Sequence, residues 1–149
     1  MNNPDTGNSR HGTGPLGIKP NGIPYSVFII DDSLTAREIL KRILLSLQFK
    51  IAGEAVNGEI ALSILKSGSI KPDFIFIDME MPQLNGIETI KLIKPLRPDT
   101  RIIMVTSHTE RSIVEDSIKL NIDGYIRKPY DRDTVVKKIA SLTGREIPG

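Results

Sequence analysis

Short apolar runs alternate with segments of helical period along most of the chain. The apolar runs predict five strands, which are Ser26–Ile30, Lys50–Val56, Asp73–Ile77, Arg101–Val105 and Gly124–Ile126. The helical spacing predicts five helices, which lie near Leu34–Leu47, Gly58–Lys66, Gly86–Lys94, Glu110–Leu120 and Arg132–Leu142. This repeated strand and helix unit predicts an α/β fold, a doubly wound parallel sheet with helices on both faces.

The predicted strands differ in how apolar they are. The runs VFII, FIFI and IIMV of the first, third and fourth strands are uninterrupted, as in strands buried on both faces. The second strand, KIAGEAV, has fewer large apolar residues, and the fifth, GYIRK, turns polar after two residues. We therefore expect the second and fifth strands at the edges of the sheet.

The helices carry further signals of their packing and their ends. Asn57 is expected to cap the start of the second helix and Gly68 to end it, and Thr109 is expected to cap the fourth. An apolar stripe predicts the buried face of the first helix, and it consists of Leu34, Ile39, Leu40, Ile43, Leu44 and Leu47.

The first 24 residues differ in composition from the rest. They contain five glycines and four prolines, and almost no large apolar residues besides Leu16, Ile18 and Ile23. Such a segment buries too little surface to offset the entropy lost on ordering. We expect a disordered tail over residues 1–24, one domain over residues 25–143 and a short C-terminal tail over residues 144–149, with no separate output domain.

Composition narrows the function classes. The chain of 149 residues has no cysteine, which excludes disulfides and thiolate metal sites. Its net charge of +2, without a cluster of lysine and arginine, does not favour a nucleic-acid partner. The apolar runs are far below the roughly 18 residues of a membrane span, and the N-terminus does not resemble a secretory signal. We expect a cytoplasmic protein without a membrane partner.

Polar residues stand at or just after the carboxyl ends of four predicted strands. Functional groups gather at this edge of an open parallel sheet, where the strand order reverses. Each residue alone has an ordinary explanation as a turn residue, a helix cap or a solvated side chain. The set consists of Asp31, Asp32, Asp78, Thr106, Ser107 and Lys128, the last of which is followed by Pro129.

The convergence of three carboxylates needs an explanation. Carboxylates at one edge repel one another and raise one another's pKa values unless a cation lies among them. Oxygen ligands without nearby histidine or cysteine favour Mg²⁺ or a similar ion. A magnesium ion beside a carboxylate, a hydroxyl and an ammonium group predicts a phosphoryl site, in which one carboxylate attacks phosphorus.

These polar residues at the strand ends, taken in their order along the chain, make the sequence resemble the receiver domain of the two-component response regulators. The resemblance is strongest to the single-domain, chemotaxis-type members. The resemblance covers about residues 25–142 and implies a flavodoxin-like sheet of strand order 2-1-3-4-5. Its motifs are Asp31-Asp32, Asp78-Met79-Glu80-Met81-Pro82 with Gly86, Thr106-Ser107, Tyr125 and Lys128-Pro129-Tyr130.

The resemblance implies how the phosphoryl group is received. Asp78 would be the phosphoacceptor, and a sensor histidine kinase or a histidine phosphotransfer protein would be the donor. Asp31, Asp32, Asp78 and the backbone carbonyl of Glu80 would hold Mg²⁺. No enzymatic activity beyond slow autodephosphorylation is expected.

The resemblance also implies how the phosphoryl group is bound. Thr106, Ser107 and Lys128 would bind phosphoryl oxygens, and the Lys128–Pro129 peptide bond would be cis. Glu80 and His108 stand at the two positions that tune the lifetime of the phosphate.

A switch follows from the same resemblance. Thr106 would move towards the phosphoryl group and Tyr125 would swing inward, which changes the face around the fourth helix and fifth strand. An unknown downstream protein would bind this face, and the domain would be a monomer or a weak, phosphorylation-dependent dimer.

Three other functions remain open at this point. A magnesium-dependent phosphohydrolase that forms an aspartyl phosphate would carry a DxD motif on the first strand, whereas the two acids here are adjacent. A flavin-binding protein would need a phosphate cradle after the first strand, where IIDDSLTAR places anions. A receiver-like module that binds its partner without phosphate is the third.

Overall fold

A computed structural model describes residues 14–107 and 111–146, without the side chains of residues 112, 113 and 116. Its strands are β1 (Ser26–Ile30), β2 (Lys50–Ala55), β3 (Phe74–Asp78), β4 (Arg101–Thr106) and β5 (Gly124–Arg127). Its helices are α1 (Leu34–Ser46), α2 (Gly58–Ser67), α3 (Gly86–Leu96), α4 (Arg111–Lys119) and α5 (Arg132–Thr143). The strands pair in parallel in the order β2-β1-β3-β4-β5, so the predicted fold and both edge strands are confirmed.

Hydrophobic layers cover both faces of the sheet. Successive side chains of a strand point to opposite faces, so β1 contributes to both layers. Val27 and Ile29 pack in the layer formed with α1 and α5, whereas Phe28 and Ile30 pack in the layer formed with α2 and α3. This burial on both faces explains the uninterrupted apolar runs of the central strands.

The buried face of α1 is narrower than the predicted stripe. Leu40 and Leu44 are buried, but Leu34 is 63% exposed and Ile39 is 49% exposed. Leu34 is the first residue of the helix and follows the carboxyl end of β1 by four residues. Ile39 lies about 100° around the helix from Leu40, which turns it towards solvent.

Residues 14–24 are packed against the domain, which corrects the predicted disordered tail over that range. Leu16 is only 4% exposed and belongs to the hydrophobic layer that contains Leu47 and Phe49. The Gly17 N–H donates to the Leu47 carbonyl at 2.8 Å, and a Cβ at Gly17 would collide with the backbone of residues 47–49. One buried leucine and a close backbone contact therefore order a segment that composition alone marks as disordered.

Arg145 ties this N-terminal segment to the end of the chain. Its guanidinium donates to the carbonyl oxygens of Gly14 (2.6 Å), Pro15 (2.7 Å) and Ile18 (3.2 Å). The predicted C-terminal tail therefore includes a residue that holds the domain together. Residues 1–13 and 147–149 lie outside the described ranges.

The residues predicted to begin and end α2 are confirmed by the structure. The Asn57 side chain accepts a hydrogen bond from the Ile60 N–H, and Gly68 ends the helix with a left-handed φ of 74°. Thr109, the predicted cap of α4, lies outside the described residues. Among the described residues, every helix is too short or too polar to span a membrane.

Candidate functional site

Three carboxylates meet at the carboxyl edge of the sheet, and they are termed the acidic cluster. Asp31 and Asp32 follow β1, and Asp78 ends the neighbouring strand β3. Their ligand oxygens lie within 4.8 Å of one another. Asp31 and Asp78 are buried, with 7% and 3% exposure, whereas Asp32 is exposed.

The cluster holds negative charge in a poorly solvated place. Burial raises the pKa of Asp31, and the charges of Asp78 and Asp32 raise it further. A hydrogen bond from the Ser33 N–H at 2.9 Å and the charge of Lys128 act in the opposite direction without cancelling the rise. Buried carboxylates that share one site fit a hard divalent cation such as Mg²⁺, which prefers oxygen ligands.

Lys128 brings a positive charge to the cluster from the end of β5. Its Nζ donates to Asp78 Oδ1 at 3.0 Å. Burial lowers the pKa of Lys128, but the hydrogen bond and charge of Asp78, with the charges of Asp31 and Glu80, raise it on balance. Lys128 is therefore protonated at neutral pH. Its peptide bond to Pro129 is cis.

Donors at the end of β4 hold the side chain of Glu80. Glu80 Oε1 accepts from the Thr106 hydroxyl at 3.1 Å, from the Ser107 N–H at 2.9 Å and from the Ser107 hydroxyl at 2.8 Å. Burial raises the pKa of Glu80, but these hydrogen bonds and the charge of Lys128 lower it overall. The Glu80 N–H donates to Asp78 Oδ1 at 3.2 Å, which connects this loop to the acidic cluster.

Tyr125 lies on β5, opposite Met104 of β4. Its side chain is 42% exposed, and the Lys138 ammonium group lies 5.6 Å from the ring centroid. Thr106 is buried, with 1% exposure. The aromatic ring therefore lies at the surface beside α5, and the hydroxyl of the predicted switch pair lies in the interior.

The structure brings most of the predicted site residues together at one edge of the sheet. Those that meet there are Asp31, Asp32, Asp78, Glu80, Thr106, Ser107 and Lys128. Tyr125 lies outside this group, at the surface. His108 lies outside the described residues, so its effect on phosphate lifetime stays a prediction.

Arg37 is a site residue that the sequence did not reveal. Its Nη1 donates to the backbone carbonyl of Asp31 at 2.7 Å, and its Nε donates to Glu54 Oε1 at 3.1 Å. Lys41 donates to the other oxygen of the same carboxylate at 2.9 Å. Helical periodicity places Arg37 on the polar side of α1, but it gives no sign of a partner on β2.

Tyr130 is a second residue whose surroundings were not predictable. Burial raises its pKa to about 12, and the charges of Asp31 and Asp78 add to the effect. Tyr130 also lines an open groove of about 500 Å³ between the start of α1 and the loop after β5, next to Lys128.

The strand order and an acidic cluster that faces a lysine define a receiver-type α/β domain. The family model of the response regulator receiver domain matches residues 27–140. The chain therefore belongs to the response regulator receiver domain family, as the sequence resemblance indicates.

Curated relatives include single-domain chemotaxis proteins. The chain is 31% identical to the chemotaxis protein CheY of Treponema pallidum over 128 residues, which is 86% of this chain and 89% of that protein. It is 34% identical to CheY of Thermotoga maritima over 117 residues, which is 78% of this chain and 96% of that protein.

A solved structure supports the same relationship. The CheX-CheY-BeF₃-Mg²⁺ complex of Borrelia burgdorferi contains a chain that superposes with a TM-score of 0.82 at 30% identity. The match covers 87% of this chain and 98% of that chain.

Proposed function

We propose that this chain accepts a phosphoryl group on Asp78, with Mg²⁺ bound in the acidic cluster, from a histidine kinase or a histidine phosphotransfer protein. One observation carries the proposal: buried Asp78 lies within 4.8 Å of two further carboxylates and accepts a hydrogen bond from Lys128. Membership of the receiver family and the similarity to CheY proteins support it.

The chemistry of the transfer assigns a role to each group. An oxygen of Asp78 attacks the phosphorus of a phosphohistidine, and the phosphorus–nitrogen bond breaks as the new phosphorus–oxygen bond forms. The imidazole nitrogen of the donor keeps the electron pair. Lys128 offers a positive charge to one phosphoryl oxygen, and Thr106 and Ser107 offer donors to others.

The residues that would hold Mg²⁺ are those of the acidic cluster and the backbone carbonyl of Glu80. The bound ion supplies positive charge that offsets the carboxylates and the oxygens of the phosphoryl group. Support comes from the CheY of Borrelia burgdorferi, whose structure contains Mg²⁺ and BeF₃.

The proposed output is a change of shape at the face formed by α4 and β5. A new dianion on Asp78 attracts the Thr106 hydroxyl, and the ring of Tyr125 moves into the space that opens. The phosphoryl group can shift the equilibrium between the two conformations only by as much as its affinity differs between them. A downstream protein then binds this face, and the CheX complex of the Borrelia relative supports a protein partner.

Beryllofluoride, a mimic of the phosphoryl group, tests the proposal. In NMR spectra of the labelled protein, beryllofluoride with Mg²⁺ should shift the amide signals of Glu80, Ser107 and Tyr125. Asp78→Asn should lose the response, whereas Asp99→Asn, an exposed change outside the site, should keep it.

Two results would contradict the proposal. If the wild-type signals do not change with Mg²⁺ and beryllofluoride, the phosphate-independent binding module becomes the better description. Release of many phosphates per chain from phosphate monoesters would instead favour a phosphohydrolase.

A further inference from the structure

The donors that the proposed function assigns to the phosphoryl group already bind a carboxylate of this chain. The Thr106 hydroxyl and both donors of Ser107 converge on one atom, Glu80 Oε1, at distances between 2.8 and 3.1 Å. An anionic oxygen that accepts several hydrogen bonds resembles, in charge and in contacts, one oxygen of a bound phosphoryl group.

These donors cannot serve two anions at full strength. The hydroxyl of Thr106 and the N–H of Ser107 carry one proton each, and each proton points to Glu80. Thr106 is 1% exposed, so water has little access to its hydroxyl while Glu80 is bound. A phosphoryl oxygen must therefore replace the carboxylate oxygen at the same protons.

Glu80 is well placed to leave and to return. The residue is exposed, so its carboxylate can move into solvent without leaving a buried charge unpaired. Its backbone is held near Asp78 by the hydrogen bond from the Glu80 N–H. The side chain thus remains close to the donors whichever anion they bind.

We propose that Glu80 is an internal competitor of the phosphoryl group, a carboxylate that binds Thr106 and Ser107 until phosphorylation displaces it. The proposal rests on the proposed function and adds a regulatory contact to the same site. It differs from simple repulsion of anions, because it requires direct hydrogen bonds to the donors.

Substitutions at Glu80 separate contact from charge. Glu80→Gln removes the charge and nearly keeps the shape, whereas Glu80→Asp keeps the charge on a side chain one methylene shorter. Glu146→Gln is the matched control, an exposed glutamate beyond the end of α5. The dissociation constant of beryllofluoride at saturating Mg²⁺ is measured for all four proteins, together with the amide proton shift of Ser107 without beryllofluoride.

We expect both Glu80 variants to bind beryllofluoride about tenfold more tightly than wild type. This factor corresponds to one hydrogen bond to a charged group that no longer has to be broken when beryllofluoride binds. The Ser107 amide proton should move upfield in both variants, since it no longer donates to a carboxylate. Glu146→Gln should match wild type in both measurements.

The outcomes distinguish this proposal from the proposed function. If Glu80→Asp binds like wild type while Glu80→Gln binds more tightly, charge repulsion alone acts and the competitor proposal is wrong. Unchanged binding and an unchanged Ser107 signal in both variants would overturn it as well. If no protein, wild type included, binds beryllofluoride with Mg²⁺, the proposed function fails and this proposal fails with it.

Discussion

Neutralising Asp31 should stabilise the protein without Mg²⁺ and weaken its response to Mg²⁺. Asp31 is buried beside Asp78, and the change Asp31→Asn keeps an oxygen that can accept from the Ser33 N–H. The substitution therefore removes a charge while leaving the local hydrogen bond and the packing in place. Its effect on stability reports the electrostatic cost of the acidic cluster.

The magnitude follows from the separation of the carboxylates. At the 4.8 Å limit, two unit charges repel by about 3 kcal/mol at an effective dielectric constant of about 20, and by about 1 kcal/mol in water. The attraction between Asp31 and Lys128 is lost as well, so part of this gain is cancelled. We expect the free energy of unfolding in EDTA to rise by about 1 to 2 kcal/mol.

Magnesium should reverse the order of the two proteins. A ligand that binds only the folded state stabilises it by about 1.4 kcal/mol at ten times its dissociation constant and by about 2.7 kcal/mol at a hundred times. Asp31→Asn has one carboxylate fewer in the cluster and should gain much less. Urea denaturation of both proteins in EDTA and in a series of Mg²⁺ concentrations measures the difference.

Asp99→Asn is the matched control, because Asp99 is exposed in the loop between α3 and β4. This variant should follow wild type at every Mg²⁺ concentration. A loss of stability in EDTA on changing Asp31 would refute the reasoning, since it would mean that the carboxylate is worth more to the fold than its repulsion costs.

Three other predictions concern stability, the titration of Tyr130 and Mg²⁺ binding. Leu16→Ala should lower the free energy of unfolding by about 2 to 4 kcal/mol in urea denaturation, whereas Ile23→Ala, at a side chain 57% exposed, should cost much less. Tyr130 should ionise near pH 12 in an absorbance titration, and Tyr130→Phe should remove that step. Because the folded pKa lies above the unfolded value of about 10, wild type should lose stability relative to Tyr130→Phe as the pH rises from 10 to 12. Arg37→Gln should weaken Mg²⁺ binding, measured by calorimetry, because it loosens the carbonyl of Asp31; equal affinities would show that the contact is incidental.

Apolar patterning was sufficient to predict the sheet and the edge where its chemistry lies. Strands buried on both faces must be apolar at every position, so VFII, FIFI and IIMV revealed the centre of the sheet. Parallel strands end at one edge, and this rule placed Asp31, Asp78 and Lys128 near one another although up to 97 positions separate them.

The pattern of apolar residues could not predict the contacts between polar side chains. Glu80 and Ser107 are 27 residues apart, and Arg37 and Glu54 are 17 apart, on elements that periodicity describes only as polar or apolar. Which loop reaches which depends on backbone geometry that no local pattern encodes. The prediction that the segment around Leu16 is disordered was wrong for a related reason, because this segment is ordered by contacts with distant parts of the chain.

The charge balance of the site connects the acidic cluster with the contact of Glu80. Among the described site residues, four carboxylates lie near the ammonium group of Lys128, namely the three of the acidic cluster and that of Glu80. The charge of Arg37 is offset by its salt bridge with Glu54. The site then carries a net charge of about −3, which a divalent cation reduces to about −1. Phosphorylation replaces the single charge of Asp78 with about −2, so the balance becomes more negative by about one unit. Release of Glu80 into solvent removes one unit, and the site can therefore accept the phosphoryl group with its net charge nearly unchanged.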